Sequence, residues 1–228
     1  MNQTVFVLHS VFVMVKPLQE LFSEILPQAK VFNLVDDSLL PEVIREGKVT
    51  KKIMKRVCGY ITTAEEIGAN AVLSVCTTMT DAVDIAKSLV NIPLLKIDEP
   101  MVEKALALGE KIGLVATFPP TLDPSGRFIL KKAEELKKKI VLKKVLCPGA
   151  FDAVLCGDQE KHDSIVAAEV KKIQKEVDVI ILAQGSMAKL EPKLSKEISI
   201  PILTSPRLAV QRIKELLGQA QRPQATSF

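Results

Sequence analysis

Two stretches of this sequence resemble each other, and that similarity limits the fold more than any other feature. The segment LSVCTTMTDAVDIAKSLVNIPLLKIDEP aligns without a gap on ILAQGSMAKLEPKLSKEISIPILTSPRL at an offset of 108 residues, which lays Cys76 on Gln184. Both copies read as a strand, a helix and a second strand, with an Ile-Pro pair at the same place. An internal repeat of this kind predicts two similar lobes related by a pseudo-twofold axis.

Short runs of β-branched residues alternate with longer segments of helical periodicity. Apolar residues recur with helical spacing at 129, 133, 136 and 140, and again at 166, 170, 173 and 177. Continuous apolar strands separated by helices are typical of parallel sheets covered on both faces. We therefore predict an α/β fold with two pseudo-symmetric parallel α/β lobes. The first lobe is residues 1–97 plus 205–228, and the second is residues 98–204.

Eight strands are predicted, four in each lobe. They are TVFVLH (4–9), KVFNLV (30–35), AVLSV (71–75), PLLKI (93–97), KIGLVA (111–116), IVLKKVL (140–146), VDVIILA (177–183) and IPILT (200–204).

The composition excludes several classes of protein. No apolar run approaches the ~20 residues of a membrane span, and the N-terminal MNQTVFVLHS has no basic region of the kind that opens a signal peptide. Four cysteines without CxxC spacing indicate reduced thiols and a cytoplasmic location. The lysine runs suit solvated helix faces. With one Tyr and no Trp to stack bases, we expect no nucleic-acid partner.

Polar side chains follow directly after several predicted strands. Ligands of parallel α/β sheets bind beyond the carboxyl ends of the strands, so these residues form the candidate site. If the repeat is real, the two sets face each other across a cleft, which predicts an interlobe active site. The residues are His9, Ser10, Cys76, Thr77, Thr78, Thr117, Gln184, Gly185 and Ser186.

Cys76 is the strongest chemical candidate among them. The segment from Thr78 to Asp81 resembles a capping box, so a helix is expected to start just after the thiol. A helix N-terminus favours the thiolate and is expected to lower the thiol pKa. Threonine hydroxyls and free backbone N–H groups would bind a carboxylate or a growing enolate. The alternative is a buried cysteine that packs as a small hydrophobe, as we expect of Cys58, Cys147 and Cys156.

Several motifs together are similar to the aspartate/glutamate/hydantoin racemase superfamily. They are VLSVCTTMTDA, IGLVATFPPTL, DVIILAQGSMA, and LHSVFVMVKPLQELF followed by NLVDDSLLPEVIREG, and the resemblance covers residues 3–216. It implies two α/β lobes with the site between them, a small carboxylate substrate, no pyridoxal phosphate, no metal and a homodimer. In such racemases one cysteine takes a proton from the substrate α-carbon and a second returns one on the opposite face.

The resemblance assigns roles in the first lobe residue by residue. Cys76 matches the first catalytic cysteine, and Thr77 and Thr78 match the residues that hold the substrate carboxylate. His9 and Ser10 match an Asp-Ser pair whose acid assists that cysteine. The resemblance therefore implies that His9 is catalytic and polarises Cys76, and that Ser10 binds substrate.

The second lobe departs from the family pattern. Gln184 occupies the position at which the family has its second catalytic cysteine, and an amide cannot abstract or deliver a proton. Gln184 can still donate hydrogen bonds to a carboxylate or an enolate, and Gly185 can bring a backbone N–H close to one. Thr117 and Thr121 match family hydroxyls. The second lobe is therefore expected to hold an anion while the first transfers the proton.

Two further residues are left open. His162 beside Asp163 could serve as a base near neutral pH, or could be a surface or capping residue at the start of a helix. Ser38, in VDDSLLPEV, could contribute to the site, or the segment could be a turn and helix cap alone.

The function expected is a cofactor-independent, racemase-like isomerase of amino-acid metabolism. It would act at the carbon next to a carboxylate, in aspartate, glutamate or a related acid, through proton transfer by Cys76. One alternative is a decarboxylase or isomerase of a malonate-like or maleate-like acid on the same frame. Another is a carboxylate-binding homologue without catalysis, an alternative that Gln184 keeps open.

Overall fold

The structure is a computed structural model that describes residues 3–220, with Ser186 and Ala220 described by their backbone only. The chain divides into two compact units. The first runs through Ile97 and resumes at Arg207, and the second is Asp98–Pro206. Within residues 3–220, no helix has both the length and the apolar character needed to cross a membrane.

Each unit contains a four-stranded parallel sheet, and the two sheets have the same strand order. The first sheet is ordered β2-β1-β3-β4 and the second β6-β5-β7-β8. All pairings are parallel, so the predicted α/β fold with parallel sheets is confirmed. The strands are β1 (Thr4–His9), β2 (Lys30–Val35), β3 (Ala71–Ser74), β4 (Leu94–Lys96), β5 (Lys111–Ala116), β6 (Val141–Leu146), β7 (Val179–Leu182) and β8 (Ile202–Leu203).

Helices connect the strands and cover the sheet faces. They are α1 (Val15–Ile25), α2 (Leu39–Glu46), α3 (Lys51–Glu66), α4 (Thr80–Ala86), α5 (Glu99–Leu108), α6 (Pro119–Glu135), α7 (Ala150–Leu155), α8 (Gln159–Ile173), α9 (Glu191–Glu197) and α10 (Ser205–Ala220). Short 3-10 helices lie at Phe12–Met14, Thr77–Met79 and Gly185–Leu190.

Local sequence signals place several helix ends. The Thr50 hydroxyl accepts a hydrogen bond from the Ile53 N–H and starts α3, and α2 ends at Gly47, whose φ is 67°. The helix predicted to continue to residue 140 ends earlier, because Lys137 adopts a positive φ of 53°. Leu136 is therefore the C-cap of α6 and stays 47% exposed, although its spacing suggested a buried helical position.

In the first unit, alternate residues of β1 face two separate cores. Phe6 and Leu8 pack with α3 and α4, while Val5 and Val7 pack with α1 and α10. This alternation follows from the two-residue period of a strand.

In the second unit, Val115 of β5 packs with α8 and α9, and Leu114 lies among residues of α5 and α6. Burial of both faces explains why the strands read as continuous apolar runs.

The sheet registers correct one detail of the repeat. Leu8 pairs with Ser74 in the first sheet, and Val115 pairs with Leu182 in the second. β3 and β7 therefore match at the predicted offset of 108, but β1 and β5 match at 107. Extended to the first strands, the offset of 108 predicts that His9 matches Thr117. The registers instead make Ser10 the structural equivalent of Thr117 and His9 that of Ala116, because the ungapped alignment misses a one-residue difference between the units.

The same offsets recur at the amino ends of the sheets. The Thr4 N–H donates to the Asn70 side chain at 2.7 Å, and the Lys111 N–H donates to the Asp178 carboxylate at 2.8 Å. In each unit a side chain just before the third strand thus holds the start of the first strand. This repeated contact supports the offsets read from the registers.

We expect Ile61→Ala to destabilise the protein by about 2–5 kcal/mol, because Ile61 is fully buried between α3 and the first sheet and its removal leaves a cavity. Ile67→Ala, at the end of the same helix, is the matched control, since Ile67 is 55% exposed. Urea denaturation of both variants measures the difference. Equal losses would contradict the assignment of this core.

Candidate active site

Cys76 lies where β3 gives way to helical structure. Its backbone is extended, with φ −109° and ψ 109°, and it caps the 3-10 helix Thr77–Met79. The Met79 N–H donates to the Cys76 carbonyl at 3.1 Å, and α4 begins only at Thr80. The capping-box pattern at Thr78 thus lies in a 3-10 turn, and the α-helix starts one residue later than that pattern suggests.

Cys76 is a partly buried residue, and its thiol is surrounded by hydrogen-bond donors. They are the Ser10 hydroxyl, the Thr78 hydroxyl, and the backbone N–H groups of Thr78 and Met79. Burial nevertheless raises the pKa of the Cys76 thiol, and the donors offset this effect only in part. The expectation of a lowered pKa was wrong, because desolvation outweighs the helix terminus. Near neutral pH the thiol is protonated.

His9 lies on the other side of the first sheet from the Cys76 thiol. It continues the face of Val5 and Val7, whereas Cys76 packs against the core on the opposite face. Its Nε2 atom is 2.9 Å from the Asn33 side-chain oxygen, and Nδ1 has no hydrogen-bond partner among residues 3–220. Burial lowers the pKa of His9, although the Asn33 hydrogen bond opposes this, so the imidazole is neutral at pH 7.

These placements change the expected role of His9. The resemblance implied that His9 polarises Cys76, but the side chain from the end of β1 that contacts the thiol is Ser10. The alternation of a strand sends residues 9 and 10 to opposite faces, and only residue 10 shares the face of Cys76. Ser10 was expected to bind substrate, and the structure adds a direct contact with the proposed proton-transfer group.

The second unit repeats this arrangement with different chemistry. The Thr117 N–H donates to Gln184 Oε1 at 3.0 Å, and Gln184 Nε2 donates to the Thr117 hydroxyl at 2.9 Å. Thr117 and Gln184 are the structural equivalents of Ser10 and Cys76. Each unit therefore joins a hydroxyl after its first strand to the residue that opens the turn after its third. A glutamine amide carries two N–H donors, so one remains to bind an anion.

Other predicted residues of the second unit lie around this pair. Gly185 opens the 3-10 helix Gly185–Leu190, and the Met187 N–H donates to the Gln184 carbonyl at 2.9 Å. Thr121 is buried in the first turn of α6, where its N–H donates to the Phe118 carbonyl at 3.0 Å. The side chain of Ser186 lies outside the described part of the chain.

His162 is buried near the start of α8. Its Nδ1 atom lies 2.7 Å from the Asp163 carboxylate and 3.1 Å from the Gln159 amide nitrogen. Both partners belong to the same helix, and His162 and Asp163, which are neighbours in sequence, are also in contact. These contacts do not connect His162 to Thr117 or Gln184, and its role as a base stays a prediction.

Ser38 belongs to a polar network that joins β2, α2 and α3. The Asp36 carboxylate accepts hydrogen bonds from the Ser38 hydroxyl at 2.6 Å, from the Tyr60 hydroxyl at 2.7 Å and from the Arg56 guanidinium. Arg56 also donates to Glu42 at 2.7 Å. Burial acts to raise the pKa of Asp36, but these hydrogen bonds outweigh it and bring the pKa down to about 2. The network holds Ser38 in place through Asp36.

The remaining cysteines are free. The Cys58 thiol donates to the Ala82 carbonyl at 3.7 Å, and Cys147 is fully buried, which raises its pKa to about 12. Cys156 is exposed at the end of α7. Within the described residues, no group of three or more His, Cys, Asp or Glu side chains is arranged to hold a metal ion.

Three contacts escaped the sequence analysis. Asn33, the partner of His9, is a polar residue flanked by apolar residues within β2, and that irregularity was a usable signal. Arg56 and Tyr60 carry no such mark, because their approach to Asp36 depends on how α3 packs. The ring contact between Phe118 and Phe151 likewise joins segments that are distant in sequence.

Comparison with known proteins points to one family. The sequence profile described as Asp/Glu/Hydantoin racemase matches residues 6–213. A glutamate racemase from Trichodesmium erythraeum is 26% identical over 183 residues, which is 78% of this chain and 64% of the relative. The chain thus spans less than two thirds of that relative's length.

Solved structures share the fold at low sequence identity. Glutamate racemase from Francisella tularensis, in complex with D-glutamate, aligns with a TM-score of 0.73 at 14% identity over 99% of this chain and 85% of its own. Allantoin racemase from Klebsiella pneumoniae aligns with a TM-score of 0.71 at 16% identity, over 99% and 92%. At these identities the likeness shows the fold alone.

We expect Asp36→Asn to lower stability at neutral pH by about 1–3 kcal/mol, since the variant loses charge-assisted hydrogen bonds. The folded pKa of Asp36 is about 2, below the value of about 3.9 for an unfolded chain. The carboxylate therefore stabilises the protein above the unfolded pKa, and that contribution is lost as the pH falls from about 4 to about 2.

Urea denaturation across this acid range checks the prediction. Asp36→Asn should flatten the acid limb of the stability curve, whereas Asp37→Asn at the exposed neighbouring position should leave the limb unchanged. An unchanged limb in Asp36→Asn would contradict the network.

Proposed function

Because this chain belongs to the Asp/Glu/Hydantoin racemase family, we propose that it is a racemase-like isomerase that moves a proton at the carbon next to a carboxylate. The observation that supports this most is the Cys76 thiol with donors from Ser10, Thr78 and Met79 around it, at a residue that is only partly buried. The name of the glutamate racemase that is similar in sequence supports an amino acid or a related acid as substrate.

The donors around Cys76 suit an anion better than a neutral group. A carboxylate gains negative charge on its oxygens when the neighbouring carbon loses a proton, and fixed N–H and O–H groups stabilise that enolate. Thr77 and Thr78 are the proposed carboxylate ligands, and Ser10 orients the thiol. Donors that act on the developing charge lower the barrier, because they bind the transition state more strongly than the ground state.

The pair of Thr117 and Gln184 is proposed as a second anion holder, with Gly185, Thr121 and Ser186 beside it. Gln184 is held by two hydrogen bonds to Thr117, so its remaining N–H has a defined direction. Its amide neither gains nor loses a proton as an acid or base near neutral pH, which leaves Cys76 as the proposed acid/base. Three statements remain predictions: that the residues around Cys76 and those around Gln184 bind the same substrate, that the protein is a homodimer, and that it is cytoplasmic.

A second candidate is decarboxylation of a malonate-like acid. In that reaction the carbon–carbon bond to one carboxylate breaks, carbon dioxide leaves, and the enolate takes one proton from the thiol, which water then restores. The raised pKa of Cys76 favours this candidate, since a protonated thiol is ready to donate. Gln184 favours it too, because only one proton donor is needed.

We expect Cys76→Ser to abolish exchange of the substrate α-proton, because a serine hydroxyl is far too weak an acid or base to replace the thiol. NMR in heavy water, with a panel of amino, hydroxy and malonic acids, measures the exchange and any loss of a carboxylate. Cys58→Ser is the matched control, as Cys58 lies in α3 and bonds to Ala82. Retained exchange in Cys76→Ser would refute the site, and thermal stabilisation by acids without any exchange would indicate a binding protein.

We expect Gln184→Cys to raise inversion activity, since it places a titratable group at the position equivalent to Cys76. Polarimetry or chiral chromatography of the product measures inversion. Gln184→Ser controls for loss of the contact with Thr117. If the cysteine variant inverts no acid of the panel faster than the serine variant, the proposed equivalence of the two positions in function fails.

The pH dependence distinguishes the two candidates. A thiolate base must first lose its proton, so exchange should increase as the pH rises toward the raised pKa of Cys76. A thiol donor must keep its proton, so decarboxylation should be constant near neutrality and fall as the pH passes that pKa. The rates of exchange and of decarboxylation, measured from neutral to alkaline pH, show whether each rises or falls with pH. A profile flat through the alkaline range for both reactions would contradict a role for Cys76.

A further inference from the structure

A buried lysine lies on the face of the first sheet that also carries Cys76. Lys96 ends β4 and is only 6% exposed. It follows Leu94 by two residues, so it shares the face of Leu94, whose side chain belongs to the core that Cys76 packs against. Lys96 pairs with Ser74 of β3, which stands two residues before Cys76. Lys96 therefore adjoins, within the same unit, the segment that carries the thiol.

An aspartate of α4 holds the Lys96 ammonium group. Lys96 Nζ donates to Asp84 Oδ1 at 2.8 Å, and the side chains of the two residues are 8% and 26% exposed. Desolvation costs a buried ion pair about as much free energy as the attraction returns, so such a pair contributes little net stability. It does fix geometry, because its two charges must stay together. Here it fastens α4 to the end of β4.

The start of α4 is tied to the turn that surrounds the thiol. The turn between Cys76 and α4 supplies the Thr78 hydroxyl and the N–H groups of Thr78 and Met79, which donate to the Cys76 sulfur. α4 follows this turn without a break, and the Thr80 hydroxyl donates to the Thr77 carbonyl at 2.8 Å. Cys76 itself has the extended backbone that leads out of β3. A shift of α4 would therefore move the donors relative to the sulfur.

The second unit carries different residues at the matching positions. β4 and β8 match at the offset of 108 residues in their sheet registers, so Thr204 takes the place of Lys96. In the ungapped alignment Pro192 takes the place of Asp84. The unit whose turn opens with a cysteine thus has a charged residue at both positions, whereas the unit whose turn opens with Gln184 has none at either. The ion pair accompanies the thiol.

We propose that Lys96 and Asp84 are positioning residues for the candidate active site, and that their ion pair holds α4 so that Thr78 and Met79 keep their donors on the Cys76 sulfur. The proposal rests on the proposed function, in which that thiol transfers the proton. Neither Lys96 nor Asp84 touches the substrate. Fixed donors favour the thiolate, so loss of the ion pair leaves a thiol that ionises less readily.

Alkylation of Cys76 by iodoacetamide, followed across pH, measures ionisation of the thiol without any substrate, and mass spectrometry of peptides identifies the alkylated cysteine. The variants are Lys96→Met, which keeps an unbranched side chain to fill the same space, and Asp84→Ala. The controls are Lys144→Met and Asp123→Ala. Lys144 of β6 and Asp123 of α6 form a strand-to-helix ion pair of the same chemistry in the second unit.

We expect Lys96→Met and Asp84→Ala each to raise the midpoint of alkylation by about one pH unit, which slows alkylation at neutral pH about tenfold through the smaller thiolate fraction. A charge effect alone would differ in sign, because Asp84→Ala removes a negative charge and keeps the Lys96 cation, which would lower the midpoint. The direction of the shift in Asp84→Ala therefore distinguishes positioning from a charge effect. Both controls should alkylate as wild type does.

Circular dichroism checks that each variant folds, since Asp84→Ala removes a partner of a buried charge. If that variant does not fold, Asp84→Glu replaces it. Glutamate keeps the charge and lengthens the side chain by one methylene group. Positioning then predicts a raised midpoint, and a charge effect alone predicts an unchanged one.

An unchanged midpoint in Lys96→Met, an unchanged or lower midpoint in the Asp84 variant, or an equal rise in the controls would overturn the positioning role. NMR in heavy water, with the same panel of acids, measures exchange of the substrate α-proton in these variants. Exchange at the wild-type rate in Lys96→Met would overturn the positioning role and leave the proposed proton transfer standing. Raised midpoints in a protein whose wild type exchanges no acid would support the positioning role and refute the proposed proton transfer.

Discussion

The parallel pairing of the first and third strand in each unit is the constraint on which the candidate site depends. Adjacent parallel strands end at the same edge of a sheet, so the residues that follow them must meet there. In the first unit this pairing brings the Ser10 hydroxyl to Cys76, and in the second it brings Thr117 to Gln184. A shift of one residue in either pairing would turn the hydroxyl to the opposite face and separate it from its partner.

The protonation state of the Cys76 thiol depends on two opposing effects at this edge of the first sheet. The turn after β3 directs N–H and O–H donors at Cys76, which favours the thiolate, while the packed core beneath it removes water, which favours the thiol. Burial wins, so the resting group is an acid. A bound carboxylate close by would favour the protonated form further. The site is thus better prepared to give a proton than to take one, a property that its position at a helix start alone would not suggest.

The sequence allowed the sheets to be predicted, because strands buried on both faces leave long apolar runs that few other structures produce. KIGLVA, for example, is a strand over the predicted residues and is buried from Ile112 to Ala116. The face of the sheet on which His9 lies could also be predicted, since Val5 and Val7 precede it with a period of two. The one-residue difference in offset between the first and third strands could not be predicted from the sequence, because an ungapped alignment cannot show where one copy is shorter. The thiol pKa depends on how densely other segments pack around Cys76, and no local pattern records that density.

The first unit is built from two separate parts of the chain. Ala209, Val210 and Ile213 of α10 belong to the same core as Val5 and Val7 of β1. That core remains open on the ribosome until the whole of residues 98–206 has been synthesised. The second unit is continuous in sequence and can close its own sheet earlier. Although it is translated later, it is therefore the unit able to finish folding first, and the nascent amino-terminal strands must avoid aggregation until α10 emerges.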